Sequence, residues 1–196
     1  MSKSRLEAFT DGVMAIIVTI LVLEIPSPQG TGFQALWPLR YKLILYLLSF
    51  LTVTVYWNNH HHLFQITEVV SGSVLWANNF FLLMISLMPV ATAWAGNHIE
   101  YVAPEVTMGI VYLVVNISFY ILVRSLLSAH DADSVFTAFF GKGNHKSWFS
   151  MAMMLLGAVL AFVWPPASAI LCFGSLVPWI VPDYRIDRYL MKQSKQ

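Results

Sequence analysis

Residues 5–25 read RLEAFTDGVMAIIVTILVLEI, with four polar side chains in the first seven positions and an almost wholly apolar run from Gly12 to Leu23. A helix needs about 20 mostly apolar residues to cross the hydrocarbon core of a bilayer. This stretch has that length, so it reads as a membrane span, and Pro26 and Pro28 stop it. The start Met1-Ser2-Lys3-Ser4-Arg5 ahead of an apolar run has the outline of a signal peptide. Asp11, Glu24 and the lack of a small-residue cleavage site argue instead for a retained helix.

The rest of the chain has the same character. Of 196 residues 58% are hydrophobic and 11% charged, where a soluble domain carries about 25% charged residues; the mean hydropathy is +0.67. Too few charges remain to solvate a globular surface. Apolar runs place helices at 5–25, 37–63, 70–95, 103–128, 147–164 and 166–182, within a single domain over 1–196. The breaks between them are Pro/Gly-rich (Pro26 to Gly32) or polar (Gly96 to Pro104, Gly141 to Lys146). The last two runs are near the lower length limit, and Pro165 and Pro166 separate them, so a re-entrant hairpin is an alternative there. Pro89 is expected to kink the third helix. The fold class is therefore an all-α integral membrane protein of six spans.

Six spans divide the basic residues unevenly. Lys3, Arg5, Arg124, Lys142, Lys146, Arg185, Arg188, Lys192 and Lys195 fall on one side, against Arg40 and Lys42 on the other. The positive-inside rule then puts both termini in the cytoplasm. Trp37, Trp57, Trp76, Trp94, Trp148, Trp164 and Trp179 lie near span ends, where their rings suit headgroup depth. Trp57 also precedes a polar cluster. A net charge of +1 gives no reason to expect nucleic acid as a partner. Cys172, the only cysteine, reads as a small packed hydrophobe.

Polar residues inside a span are costly, so the first helix is the candidate functional element. With Ile16 at zero and about 100° per residue, Gly12, Thr19 and Leu23 fall within about 60° of it and Asp11 about 140° away. Copies of the helix around an axis would stack Ile16, Thr19 and Leu23 as two apolar rings and one of hydroxyls. Apolar rings gate by dewetting, and hydroxyl oxygens replace part of an ion's water shell. A helix packed on its neighbours, with Thr19 bonded to its own backbone, has the same stripe. Periodicity does not choose between the two.

The run Arg5-Leu6-Glu7-Ala8-Phe9-Thr10-Asp11-Gly12-Val13-Met14-Ala15-Ile16 resembles the opening signature of the endosomal and lysosomal potassium-channel family, in particular its bacterial members with six helices per subunit. That signature is Arg, three residues, then Phe-Ser-Asp before an apolar helix; Thr10 stands where Ser is usual and keeps the hydroxyl. Trp57-Asn58-Asn59-His60-His61-His62 and the stretch from Asn78 to Pro89 are similar to the family as well. The resemblance implies a homotetramer in a bacterial inner membrane, with a potassium-permeable pore lined by four copies of the first helix. It maps the constriction to Ile16, Thr19 and Leu23. No cofactor is implied beyond the permeant potassium ions, and the partners implied are further copies of the chain, lipid and monovalent cations. No Thr-Val-Gly-Tyr-Gly run is present, so a carbonyl-cage filter is not expected and selectivity for potassium over sodium should be modest.

His60, His61 and His62 invite a metal-site reading, yet consecutive helical residues point about 100° apart and do not share one ion. Their expected role is structural: an imidazole, with Asn58 or Asn59 and Trp57, bonding Arg5 or Asp11 and holding the pore helix in place. Asn79 is the expected third-helix contact to the first. Most of Ser49, Thr52, Thr54, Asn78, Asn79, Ser86, Thr92, Asn116 and Ser118 are expected to bond between helices. Glu24 reads equally as a carboxylate that concentrates cations at the outer mouth and as a solvated rim carboxylate. No nucleophile and base stand paired, and Gly141-Lys142-Gly143 is too short for a phosphate-binding loop, so an enzyme is not expected. The alternative is a small secondary transporter using Arg5 and Asp11 in a proton or substrate pathway.

Overall fold

A computed structural model of the chain describes residues 2–140 and 145–180, and every regular element in it is helical. Lys142 and the basic residues from Arg185 onward lie outside the described residues, as do Gly141-Lys142-Gly143 and the predicted end of the last helix. Helix α1 spans Lys3–Leu23. A 3-10 segment, Phe33–Leu39, leads into α2, Arg40–Gln65. The third predicted span is two helices, α3 at Gly72–Ile85 and α4 at Met88–Asn97. Pro89 explains the break. Its ring excludes the carbonyl four residues back, and that residue, Ile85, is the last of α3.

Helix α5, Val102–Ala129, is the centre of the subunit and packs on α3, α4, α7 and α8. Pro104 sits in its first turn, where an amide N–H has no intrahelical partner to lose. The remaining helices are α6 at Val135–Phe140, α7 at His145–Leu160, α8 at Ala167–Gly174 and α9 at Val177–Ile180. Among the described residues four stretches are long and apolar enough to cross a membrane: α1, the 3-10 segment with α2, α3 with α4, and α5. The 16 residues of α7 reach only about 24 Å at 1.5 Å per residue, short of a core about 30 Å thick. The predicted fifth and sixth spans therefore exist as shorter helices, and α6 between α5 and α7 was not expected from the sequence.

Rings of Tyr56, Phe81 and Phe119 meet where α2, α3 and α5 converge, with centroids 5.3 to 5.6 Å apart. Beside them a polar triangle ties α2, α4 and α5: Ser49 Oγ lies 2.6 Å from Thr92 Oγ1 and 2.8 Å from Tyr112 Oη, all three side chains buried. Such bonds are the usual glue between membrane helices, since a buried hydroxyl without a partner is costly. Buried Glu105 accepts the Ala169 N–H at 3.3 Å, which joins α5 to the first turn of α8. By contrast α1 packs on α2, α3 and α4 from one side only.

Candidate functional site

The two faces of α1 differ. Leu6, Thr10, Met14, Ile17 and Leu21 are buried, a stripe at spacings of four and three residues. On the other side Arg5, Phe9, Gly12, Ile16, Thr19 and Leu23 are exposed, Ile16 by 59% and Leu23 by 78%. The stripe picked out by the sequence thus lies on the surface of its own subunit, and a Cβ built on Gly12 would meet nothing within 4 Å. Thr19 Oγ1 does bond its own backbone, donating to Ile16 O at 2.7 Å. With its proton turned inward, the hydroxyl offers only acceptor lone pairs to whatever lies beside the helix.

The amino-terminal half of α1 is fastened by three sets of bonds. Trp57 of α2 donates its indole N–H to Asp11 Oδ1 at 2.8 Å, with its ring stacked on His61. Asn78 of α3 donates Nδ2 to Thr10 Oγ1 at 3.0 Å, and its Oδ1 lies 3.0 Å from His60 Nε2. An amide oxygen only accepts, so the imidazole carries its proton on Nε2. His60 also stacks on Phe64 at 4.4 Å, and Thr10, Asn78 and His60 are each 2% exposed or less. Lys3 Nζ donates to Gln65 O and Thr67 O, the carbonyls that close α2. A buried polar chain with every member paired is rigid, and removing one member leaves the next unsatisfied.

Several expectations change in detail. The third-helix contact is made by Asn78; Asn79, one residue and about 100° further round, is exposed. The imidazole reaches Thr10 through Asn78 and bonds neither Arg5 nor Asp11. Arg5 and Asn58 are exposed, and their side chains make no hydrogen bond or ion pair to another described residue, while Asn59 donates to Val55 O within its own helix. His61 Nε2 lies 2.8 Å from Gln65 Nε2 and His62 Nδ1 3.4 Å from Gln65 Oε1, so these two share one amide partner while His60 turns inward to Asn78. The role of Lys3 was not foreseen, because a terminal lysine ahead of a span reads only as a topology marker. Asn78 had a faint signal, four residues after Val74 and three before Phe81, both buried. Helix α3 is apolar on nearly every face, and that blurs the stripe.

Residues 5–89 match the model of a family described as the endosomal/lysosomal potassium channel TMEM175. A Chryseobacterium sp. protein named as a potassium channel is 38% identical over 190 residues, 97% of this chain and 98% of that protein. A Chamaesiphon minutus protein also named as a potassium channel is 29% identical, over 76% of this chain and 84% of its own length. The crystal structure of a lysosomal potassium-selective channel TMEM175 homolog from Chamaesiphon minutus superposes with a TM-score of 0.79 over 91% of this chain and 96% of that one, at 24% identity. That last likeness speaks for the fold, and the near full-length relative speaks for descent. With four helices able to span a bilayer and a relative of this similarity along almost its whole length, the chain is a membrane protein that belongs to the TMEM175 family.

Proposed function

We propose that the chain is one subunit of a potassium-permeable channel, a homotetramer whose water path runs along four copies of α1. The observation that carries this reading is the exposed stripe Ile16, Thr19 and Leu23 on a helix anchored from its opposite side. The names of the bacterial relatives supply the ion. Lipid would also cover apolar side chains. Gly12 and Thr19 favour the axial arrangement, since a bare glycine lets copies approach closely and an outward oxygen is a cation ligand.

In the proposed pore Leu23 and Ile16 form apolar rings that exclude water when narrow and conduct when slightly wider. Thr19 between them supplies a ring of hydroxyl oxygens that replaces part of the potassium hydration shell. With no carbonyl cage, discrimination against sodium is modest. The bonds from Trp57, Asn78 and Lys3 set the distance of each α1 from the axis, so they fix the bore. The basic residues near the Lys3 end put that end in the cytoplasm of a bacterial cell, with Glu24 at the outer mouth. The helices over 145–160 and 167–180 complete six spans as a thinner pair.

Purified protein in liposomes should carry potassium down its gradient without a coupled ion. Ile16→Asn and Leu23→Asn should each raise the flux on the order of tenfold by wetting the constriction. Unchanged flux in both variants would remove them from the path, and a saturable flux tied to proton movement would replace the channel by a transporter. The mass of the detergent-solubilised particle tests the tetramer.

A further inference from the structure

The 3-10 segment before α2 carries a feature the pore does not use. Phe33, Gln34, Leu36, Trp37, Arg40 and Leu43 line an open depression of about 560 Å³. Phe33 and Trp37 are 94% and 70% exposed. Arg40 lies across this surface with its guanidinium carbon 4.9 Å from the Trp37 ring centre and 4.3 Å from that of Tyr41, while Nη1 donates to Trp37 O at 3.0 Å. Among the described residues no carboxylate pairs with it, and the first turn of α2 holds no acidic residue. The neighbouring Lys42 turns elsewhere: its Cα and Cγ would lie 3.3 Å from a Cβ built on Gly96 of α4.

Two rings and one carbonyl hold this guanidinium in place, and its remaining N–H groups have no partner among the described residues. A flat guanidinium matches the paired oxygens of a phosphate. Depth supplies the second constraint. Helix α2 has 26 residues, about 39 Å at 1.5 Å per residue, so its ends extend past a core about 30 Å thick and Arg40 stands at headgroup level. Apolar side chains flank the cation there, as they do where a segment lies at the boundary of headgroups and acyl chains.

We infer that Arg40 and the Phe33–Leu39 segment form a binding site for an anionic glycerophospholipid, with the phosphate on the guanidinium and an acyl chain along Leu36 and Leu43. Charge complementarity selects this occupant: the patch is apolar and singly cationic, and no described residue neutralises it. The lipid would brace the 3-10 segment against α2.

The test uses the full chain in detergent. Native mass spectrometry should count phosphatidylglycerol retained per subunit, and added phosphatidylglycerol should raise the melting temperature more than phosphatidylcholine or inorganic phosphate does. Arg40→Gln should weaken phosphatidylglycerol binding by roughly fivefold or more. Arg40→Lys, which keeps the charge and loses the flat guanidinium, should fall between, and Trp37→Ala should also weaken it. Arg124→Gln, at the far end of α5, should leave it unchanged. Equal affinity in Arg40→Gln would overturn the proposal. So would equal stabilisation by inorganic phosphate, which would mark a free-anion site, or a changed subunit count in Arg40→Gln or Trp37→Ala, which would mark a contact between copies.

Discussion

Helices α1 and α5 are both long and apolar, yet half of the most apolar stretch of α5 is buried inside the subunit against 28% of that of α1. In α5 helices meet the chain on several sides, and its polar groups answer others inside the bundle: Tyr112 meets Ser49, and Glu105 meets the Ala169 amide. In α1 the polar groups answered from outside the helix, Lys3, Thr10 and Asp11, lie toward α2 and α3, and the other side is left open. Apolarity alone therefore does not say what a membrane helix is for. The one-sided anchoring of α1 does, because it fixes a helix while reserving a face for something outside the subunit.

The largest expected contrast is in stability. Leu122→Ala, at a fully buried position of α5, should cost about 2–5 kcal/mol. Leu23→Ala should stay within about 0.5 kcal/mol, since Leu23 is 78% exposed on the subunit and in the proposed pore it borders the water path. Thermal unfolding of the two purified variants in detergent measures both. A loss above about 2 kcal/mol for Leu23→Ala would place that residue in a packed contact between subunits and collapse the distinction between the helices.

How far this contrast is readable without coordinates depends on what sets each feature. The first four long apolar runs follow from residue counts, because the bilayer imposes the length. The division at Ile85 follows from Pro89, whose geometry is local. The membership of the stripe Gly12, Ile16, Thr19 and Leu23 follows from a 100° step applied to residues 5–23; its exposure does not, because the same spacing suits a face packed on neighbours. Choosing Asn78 over Asn79 does not, since two adjacent amides in an all-apolar helix differ only by which neighbour each faces, and that is a property of the packing. The same holds for Glu105, whose partner lies 64 residues away, and for Tyr112, an aromatic that reads as packing until Ser49 is seen beside it. Weak apolar length explains the shortfall in α7 and α8, and α6 is too brief to leave a periodic signal.

A middle-sized effect tests the anchoring itself. Asn78→Leu removes the partner of both Thr10 and His60 at nearly constant volume, so it should cost about 1–3 kcal/mol, toward the lower end if membrane values hold. Asn79→Leu, exposed, should be nearly silent. For the Trp57 to Asp11 bond, a double-mutant cycle of Trp57→Phe with Asp11→Asn should return a coupling of about 0.5–1.5 kcal/mol. A coupling indistinguishable from zero would mean that the ring alone, without its N–H, holds α1.

The smallest effect, at Gly12, is the most discriminating, because its sign is opposite to that of the matching change in α5. A methyl on Gly109 of α5 would come within 2.6 Å of Ser168 Oγ and 3.1 Å of Ala158 Cβ, so Gly109→Ala should destabilise by about 1–3 kcal/mol through overpacking. A methyl on Gly12 of α1 meets nothing within 4 Å in the subunit. Gly12→Ala should therefore leave stability unchanged or raise it by up to about 1 kcal/mol, since alanine is the better helix former. Were α1 merely facing lipid, nothing else would follow. If four copies converge, the same methyls are added around the water path, and potassium flux in liposomes should fall while the melting temperature holds or rises. Flux and stability moving in opposite directions at Gly12, and stability alone failing at Gly109, would separate a face kept for a shared axis from one that is only uncovered.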